Sequence, residues 1–172
     1  VPPVPQNLIF GVEGEEGPES ELRRILIGEE KQSSGCVRGR TLVGVYGMPG
    51  CGKSTLCVGL ANDEGIGNWF SAGIIWIQCY KSKRQEEVVD DLAHLAQYLG
   101  YDESAVEREL KSVCDWKEKV DAVTKMAREA GRGKRFLVIV DNVWRKEVLE
   151  PIVSAVGDTG SVLFTTRNRE IA

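Results

Sequence analysis

The 172-residue sequence has one histidine, His94, and an odd number of cysteines, five, no two of them spaced Cys-x-x-Cys. A single imidazole leaves no Ser-His-Asp triad and no histidine-built zinc site, and the cysteine spacing suggests neither a zinc cluster nor a disulfide framework. Cys57 and Cys79 stand among apolar neighbours, where a thiol behaves as a small hydrophobe, and free thiols fit a reducing, cytoplasmic setting. Basic charge is also short. The 22 Lys and Arg against 26 Asp and Glu give a net charge of −4, so a stripe that neutralises a nucleic-acid backbone is not expected. The local cluster Lys81-Ser82-Lys83-Arg84 is followed by Glu86 and Glu87 and reads as a solvated loop. No run approaches the roughly 18 apolar residues of a membrane span, and no signal-peptide pattern occurs. An initiating Met is lacking and the sequence ends abruptly at Arg169-Glu170-Ile171-Ala172; it is expected to be a piece of a longer chain.

What is present suits one globular domain. Hydrophobic residues make up 42% and charged residues 28%, enough to build a core at this length. Val1-Pro2-Pro3-Val4-Pro5 is too proline-rich for helix, so 1–18 is expected to be an extended linker and 19–172 the domain. Helices are expected over 19–26, 53–61, 85–99, 115–130 and 147–156. Apolar residues recur at three and four in the longer two, as with Val88, Leu92, Leu95 and Leu99, or Trp116, Val120, Val123 and Ala127. Short apolar runs at 41–46, 74–80, 136–141 and 161–165 read as buried strands. Strands alternating with helices predict an α/β fold, a mostly parallel sheet with helices on both faces. The tryptophans at 69, 76, 116 and 144 are expected to be packing residues.

The chemistry lies at the strand tips. Gly47-Met48-Pro49-Gly50-Cys51-Gly52-Lys53-Ser54 matches G-x-x-x-x-G-K-[ST] and falls between an expected strand and an expected helix. Such a loop turns backbone N–H groups inward around a phosphate, glycine allowing the dihedrals and the close approach, while the helix N-terminus adds its positive end. Lys53 is then the residue that bridges the terminal phosphates, and Ser54 a ligand of Mg²⁺. Asp141 ends the run Val138-Ile139-Val140, where ligands bind in open α/β sheets, and can hold the same ion. Alone, such an aspartate serves equally well as a turn residue. Arg167, after Thr165-Thr166, stands where an arginine can read a γ-phosphate, or where a solvent-facing loop would place one.

These blocks, together with Ile75-Trp76-Ile77, Asp141-Asn142-Val143-Trp144 and Gly160 to Arg167, resemble the NB-ARC domain over nearly the whole chain. That domain is a three-layer P-loop NTPase of the STAND class, the nucleotide switch of plant NLR immune receptors and of animal apoptosis adaptors. The resemblance implies an ATP/ADP site with Mg²⁺. It implies phosphate contacts along Gly47 to Ser54 and on through Thr55 and Leu56, and Arg167 as phosphate sensor. A looser similarity at Ile9-Phe10-Gly11-Val12-Glu13 implies adenine contacts from Phe10, Gly11 and Val12. Two departures stand out. Where family members carry a second acid, this chain has Asn142, and an amide cannot take a proton, so hydrolysis is expected to be slow or absent. The helical and winged-helix parts, and with them a fifth core strand, are expected to lie beyond Ala172. The implied partners are the rest of a receptor chain and other copies of it. The alternatives are a turnover ATPase or kinase, and a GTPase, against which the lack of Asn-Lys-x-Asp argues by that family's pattern.

Overall fold

In the computed structural model, which describes residues 7–9, 17–28 and 41–172, the apolar runs form a five-stranded sheet whose neighbouring pairs are all parallel. The strands are β1 (Asn7–Ile9), β2 (Leu42–Tyr46), β3 (Ile74–Gln78), β4 (Leu137–Val143) and β5 (Ser161–Thr166), in the order β1-β2-β5-β4-β3. The helices are α1 (Pro18–Ile27), α2 (Lys53–Ala61), α3 (Glu64–Trp69), α4 (Val88–Tyr98), α5 (Glu103–Ser112), α6 (Trp116–Ala130) and α7 (Lys146–Val156). Parallel neighbours need crossovers, and the crossover helices cover both faces. Among the described residues no helix is long and apolar enough to cross a membrane.

Alternation along β4 divides the core in two. Leu137 and Ile139 join Val43, Val45 and Leu163 against Leu22, Leu60 and Ile66 of α1, α2 and α3. Val138 and Val140 point the other way, joining Ile77, Val162 and Phe164 against Leu92, Val123 and Ile152 of α4, α6 and α7. A residue flanked on both sides needs apolar neighbours on both sides, which is why the strand reads as an unbroken apolar run. Each such side chain, fully buried, contributes about 1.5–3 kcal/mol.

The three-layer α/β reading holds, and the sheet is parallel throughout rather than mostly so. Other details differ. A fifth strand is present, and it is Asn7–Ile9, from the stretch expected to be linker; it pairs with β2. β3 stops at Gln78, and β4 runs past Asp141 to Val143. The helix expected from 85 begins as a 3-10 turn, Gln85–Glu87, before α4. Two helices were not expected. α3 carries two glycines and buries only Ile66, but Asp63 caps it by accepting from the Ile66 N–H at 2.8 Å. α5 buries only Val106 fully, with Leu110 half-buried beside it, and is mostly charged or polar elsewhere; Asp102 caps it by accepting from the Ala105 N–H at 2.7 Å. Capping fixes these helices where hydrophobic periodicity is too thin to reveal them.

α7 carries Pro151 inside it. Proline has no N–H for the carbonyl four residues back, that of Glu147. Gln85 Nε2 donates to that carbonyl at 3.4 Å, so the 3-10 turn before α4 supplies the missing donor.

Gly44 of β2 lies directly opposite Phe164 of β5, and a Cβ at Gly44 would sit 2.7 Å from the ring. Gly44→Ala is therefore expected to cost about 1–3 kcal/mol by overpacking. In urea melts, Gly44→Ala combined with Phe164→Leu should lose clearly less than the two single losses summed. Simple additivity would mean the contact does not limit this position.

Candidate functional site

Because all five strands are parallel, their carboxyl ends share one edge, and the glycine loop, Lys53, Ser54, Asp141 and Arg167 collect there. β2 runs into the loop Gly47–Gly52, which turns through two glycines in left-handed backbone, Gly50 (φ 78°) and Gly52 (φ 91°). Side chains with a Cβ rarely adopt that region. Gly52 is the N-cap of α2 and no side chain caps the helix, so its first N–H groups face the loop without a side-chain acceptor. Lys53 Nζ curls back and donates to the carbonyls of Gly47 (2.7 Å) and Met48 (2.8 Å), with Cys51 Sγ at 3.6 Å. These are neutral acceptors, and a charged phosphate oxygen competes well against them.

The tip of β4 is shaped by a bulge. Val140 pairs with Phe164 and Val143 with Thr166, so two residues of β4, Asp141 and Asn142, face one of β5, Thr165. Asn142 takes φ 63° to make the step, a conformation asparagine tolerates better than most residues. Thr165 closes the gap. Its Oγ1 accepts from the Asn142 N–H at 2.8 Å and donates to Asp141 Oδ1 at 2.6 Å. The same oxygen accepts from Ser54 Oγ at 2.8 Å. Gln78, the register partner of Asp141 on β3, donates from Nε2 to Oδ2 at 3.3 Å. The Asn142 amide donates to the Cys79 carbonyl at 3.2 Å.

A cleft of about 380 Å³ opens between these parts, lined by Gly50, Gly52, Lys53, Ser54, Thr55, Asp141 and Arg167, with Gln78, Asn142 and Thr165. Across the glycine loop lies a more apolar groove of about 490 Å³, to which Gly47, Met48, Cys51 and Leu56 contribute beside Pro18 and Leu22. Pro49 lines neither. Phe10, Gly11 and Val12 lie outside the described residues. Gln78 and Thr165 were not singled out as site residues. Their only signals are a polar residue closing an apolar strand and a Thr-Thr pair before Arg167, and neither gains meaning without the strand register.

The donor set fits Mg²⁺. One hydroxyl and one carboxylate lie 2.8 Å apart at the edge of a water-open cleft, and magnesium takes one or two protein oxygens with phosphates and waters completing the shell. Among the described residues no group of three His, Cys, Asp or Glu forms an all-protein cage.

A parallel α/β sheet with a glycine loop between its second strand and the following helix, and an acid on a nearby strand tip, defines a P-loop nucleotide-binding domain. The sequence matches the NB-ARC domain over residues 28–172, and the chain belongs to that family. Similar curated proteins are plant disease-resistance proteins. Late blight resistance protein R1-A of Solanum demissum is 30% identical over 138 residues, and disease resistance protein UNI of Arabidopsis thaliana is 35% identical over 141. The matches cover 78% and 76% of this chain but only 10% and 14% of those proteins.

The thiols around the site differ in reach. Burial, and then the charge of Asp141, push Cys57 up to about 12, and burial pushes Cys79 up to about 11, whereas Cys51 and Cys114 are exposed. With a thiol-reactive dye near pH 8, about where free thiols begin to ionise, Cys51 and Cys114 should label fast and Cys57 and Cys79 only on unfolding. ADP should slow Cys51 and leave Cys114 alone. Equal slowing at both would mean that the nucleotide is not at the glycine loop.

Proposed function

We propose that this domain is the ATP/ADP switch of an intracellular, cytoplasmic NLR-type immune receptor, with ADP holding the receptor off and exchange for ATP promoting its assembly with other copies. The observation that carries the reading is the Ser54–Asp141 hydrogen bond, which joins the first turn of α2 to the tip of β4 across the cleft. It brings the hydroxyl and carboxylate of a phosphate-bound metal site together within reach of the glycine loop. The plant disease-resistance relatives support the receptor context.

In this reading residues 19–172 form the binding unit. The loop N–H groups and the α2 N-terminus receive the phosphates. Lys53 leaves the Gly47 and Met48 carbonyls for the terminal phosphates. Ser54 and Asp141 would hold Mg²⁺, which when bound would supply charge neutralisation for the phosphates. The Gln78 amide and Thr165 hydroxyl keep the Asp141 carboxylate oriented toward that position. The apolar groove beside Pro18, Met48 and Leu56 receives the base. Arg167, on the far wall of the cleft, meets the γ-phosphate when one is there.

Asn142 makes this a switch rather than a turnover enzyme. Its amide cannot accept a proton, and it is tied to the Cys79 carbonyl of the neighbouring strand end. Asn142→Asp should raise phosphate release well above the wild-type rate while leaving ATP affinity within about twofold. It should also cost about 1 kcal/mol of stability, since a carboxylate cannot donate to that carbonyl. Matching release rates in the two proteins would show that the lack of a base does not limit hydrolysis.

The direct test is thermal unfolding with ADP, ATP or GTP, each with Mg²⁺, for the wild type and Lys53→Ala. A nucleotide at a hundred times its dissociation constant stabilises by about 2.7 kcal/mol, a rise of about 5–10 °C for a chain of this size. The rise is expected with adenine nucleotides, not with GTP, and is expected to vanish in Lys53→Ala. A melting temperature indifferent to every nucleotide would overturn the assignment.

A further inference from the structure

We infer that Trp144 is a specificity-determining residue of the cleft: its indole face is the resting place of the Arg167 guanidinium, and the competition between that face and a γ-phosphate sets how strongly the domain prefers a nucleoside triphosphate to a diphosphate. The inference rests on the reading of Arg167 as the γ-phosphate contact.

Register places the two residues together. Val143 and Thr166 are the last pair of the β4–β5 ladder, and Trp144 and Arg167 are the residues that immediately follow the two strands. The Arg167 guanidinium lies over the Trp144 ring, 5.4 Å from its centroid, within the range of a cation–π contact. Among the described residues no carboxylate pairs with Arg167, and its side chain also lines the cleft that holds Lys53 and Asp141. The arginine therefore stands between two partners, one aromatic and always present, one anionic and brought by the ligand.

The backbone at this point is braced, so the choice falls to the side chain. Thr166 Oγ1 donates to the Val143 carbonyl at 2.8 Å and accepts from the Asn168 N–H at 3.0 Å, fixing the chain on both sides of Arg167. Trp144 presents its ring face to the guanidinium, while its Nε1 is buried and finds no acceptor among the described residues. Lys81 Nζ lies 5.6 Å from the same ring. Two cations on one indole repel each other, which weakens the resting contact and keeps Arg167 releasable. A diphosphate has no group to draw the arginine away. A triphosphate offers charge-assisted, bidentate acceptors, which are stronger than an exposed cation–π contact. Every triphosphate that binds must displace the arginine from Trp144, so the aromatic face lowers triphosphate affinity and leaves diphosphate affinity unchanged.

The test is the ratio of affinities for a non-hydrolysable ATP analogue and ADP, measured by calorimetric titration with Mg²⁺. Trp144→Leu should raise the preference for the triphosphate about two- to fivefold, the worth of one exposed cation–π contact, with ADP affinity unmoved. The same substitution in an Arg167→Ala background should leave the ratio where Arg167→Ala alone puts it. Site-specific replacement of Trp144 by mono- and multiply fluorinated tryptophan keeps the ring's shape while weakening its face, and should raise the ratio stepwise with fluorine number. That series decides the matter if Trp144→Leu fails to fold. A ratio that ignores fluorination, or a leucine effect that persists without Arg167, would make Trp144 a packing residue and leave the nucleotide assignment standing. A wild-type chain that binds neither nucleotide would overturn both.

Discussion

One carboxylate oxygen organises the cleft. Asp141 Oδ1 accepts from Ser54, at the start of α2, and from Thr165, on β5, while the other oxygen of the group meets Gln78 on β3. Three elements remote in sequence are thus gathered on one residue that is itself almost fully buried. A buried carboxylate is stable only with its acceptor sites filled, and here hydroxyl and amide donors fill them without a cation. Hydroxyl donors can rotate and give way to a metal ion, whereas a paired arginine or lysine would compete with it for the same oxygens. The bulge sets both Asp141 and Asn142 against Thr165, where a regular ladder would pair Thr165 with Asp141 alone.

The parts of the site that a motif can carry were legible in the sequence: the glycine loop with Lys53 and Ser54, the acid at the end of an apolar run, and an arginine after Thr-Thr. The relations among them were not. That Gln78 faces Asp141 depends on how β3 pairs with β4, and that Thr165 stands alone against two residues depends on how β4 pairs with β5. Neither register is written in the local pattern, because each strand is apolar on both sides and offers no alternation to fix it. Three-residue β1 was hidden for a different reason. It lies close to the proline-rich start, and what makes it a strand is the free outer edge of β2. The short helices α3 and α5 bury one residue each, too little for periodicity to show, and their aspartate caps are common in loops as well.

The two faces of the sheet serve different purposes. Helices α1, α2 and α3 back the glycine loop, so the packing of Leu22, Leu60 and Ile66 is the support for Lys53 and Ser54. On the other face, the larger cluster under α4, α6 and α7 holds the strand ends that carry Gln78, Asp141 and Arg167. The sheet is the only layer common to both. The loop and the acidic wall of the cleft are therefore registered to each other through the backbone ladders, through Leu137, Ile139 and Leu163, which pack beneath α1, α2 and α3, and through the Ser54–Asp141 bond.

That bond spans 87 residues of sequence, and its length in the chain has a consequence for synthesis. The glycine loop leaves the ribosome well before β4 and β5, whose ends supply Asp141, Thr165 and, one residue on, Arg167. During translation the nascent chain carries the phosphate loop with no wall opposite it, and β2 waits for β5, its neighbour in the sheet, until the end of the segment has emerged. Contacts of such separation close slowly, since the intervening chain must be ordered before they form. A nucleotide consequently has no complete site to act on until this stretch is almost finished, and it can stabilise the assembled domain without guiding the first half of its folding.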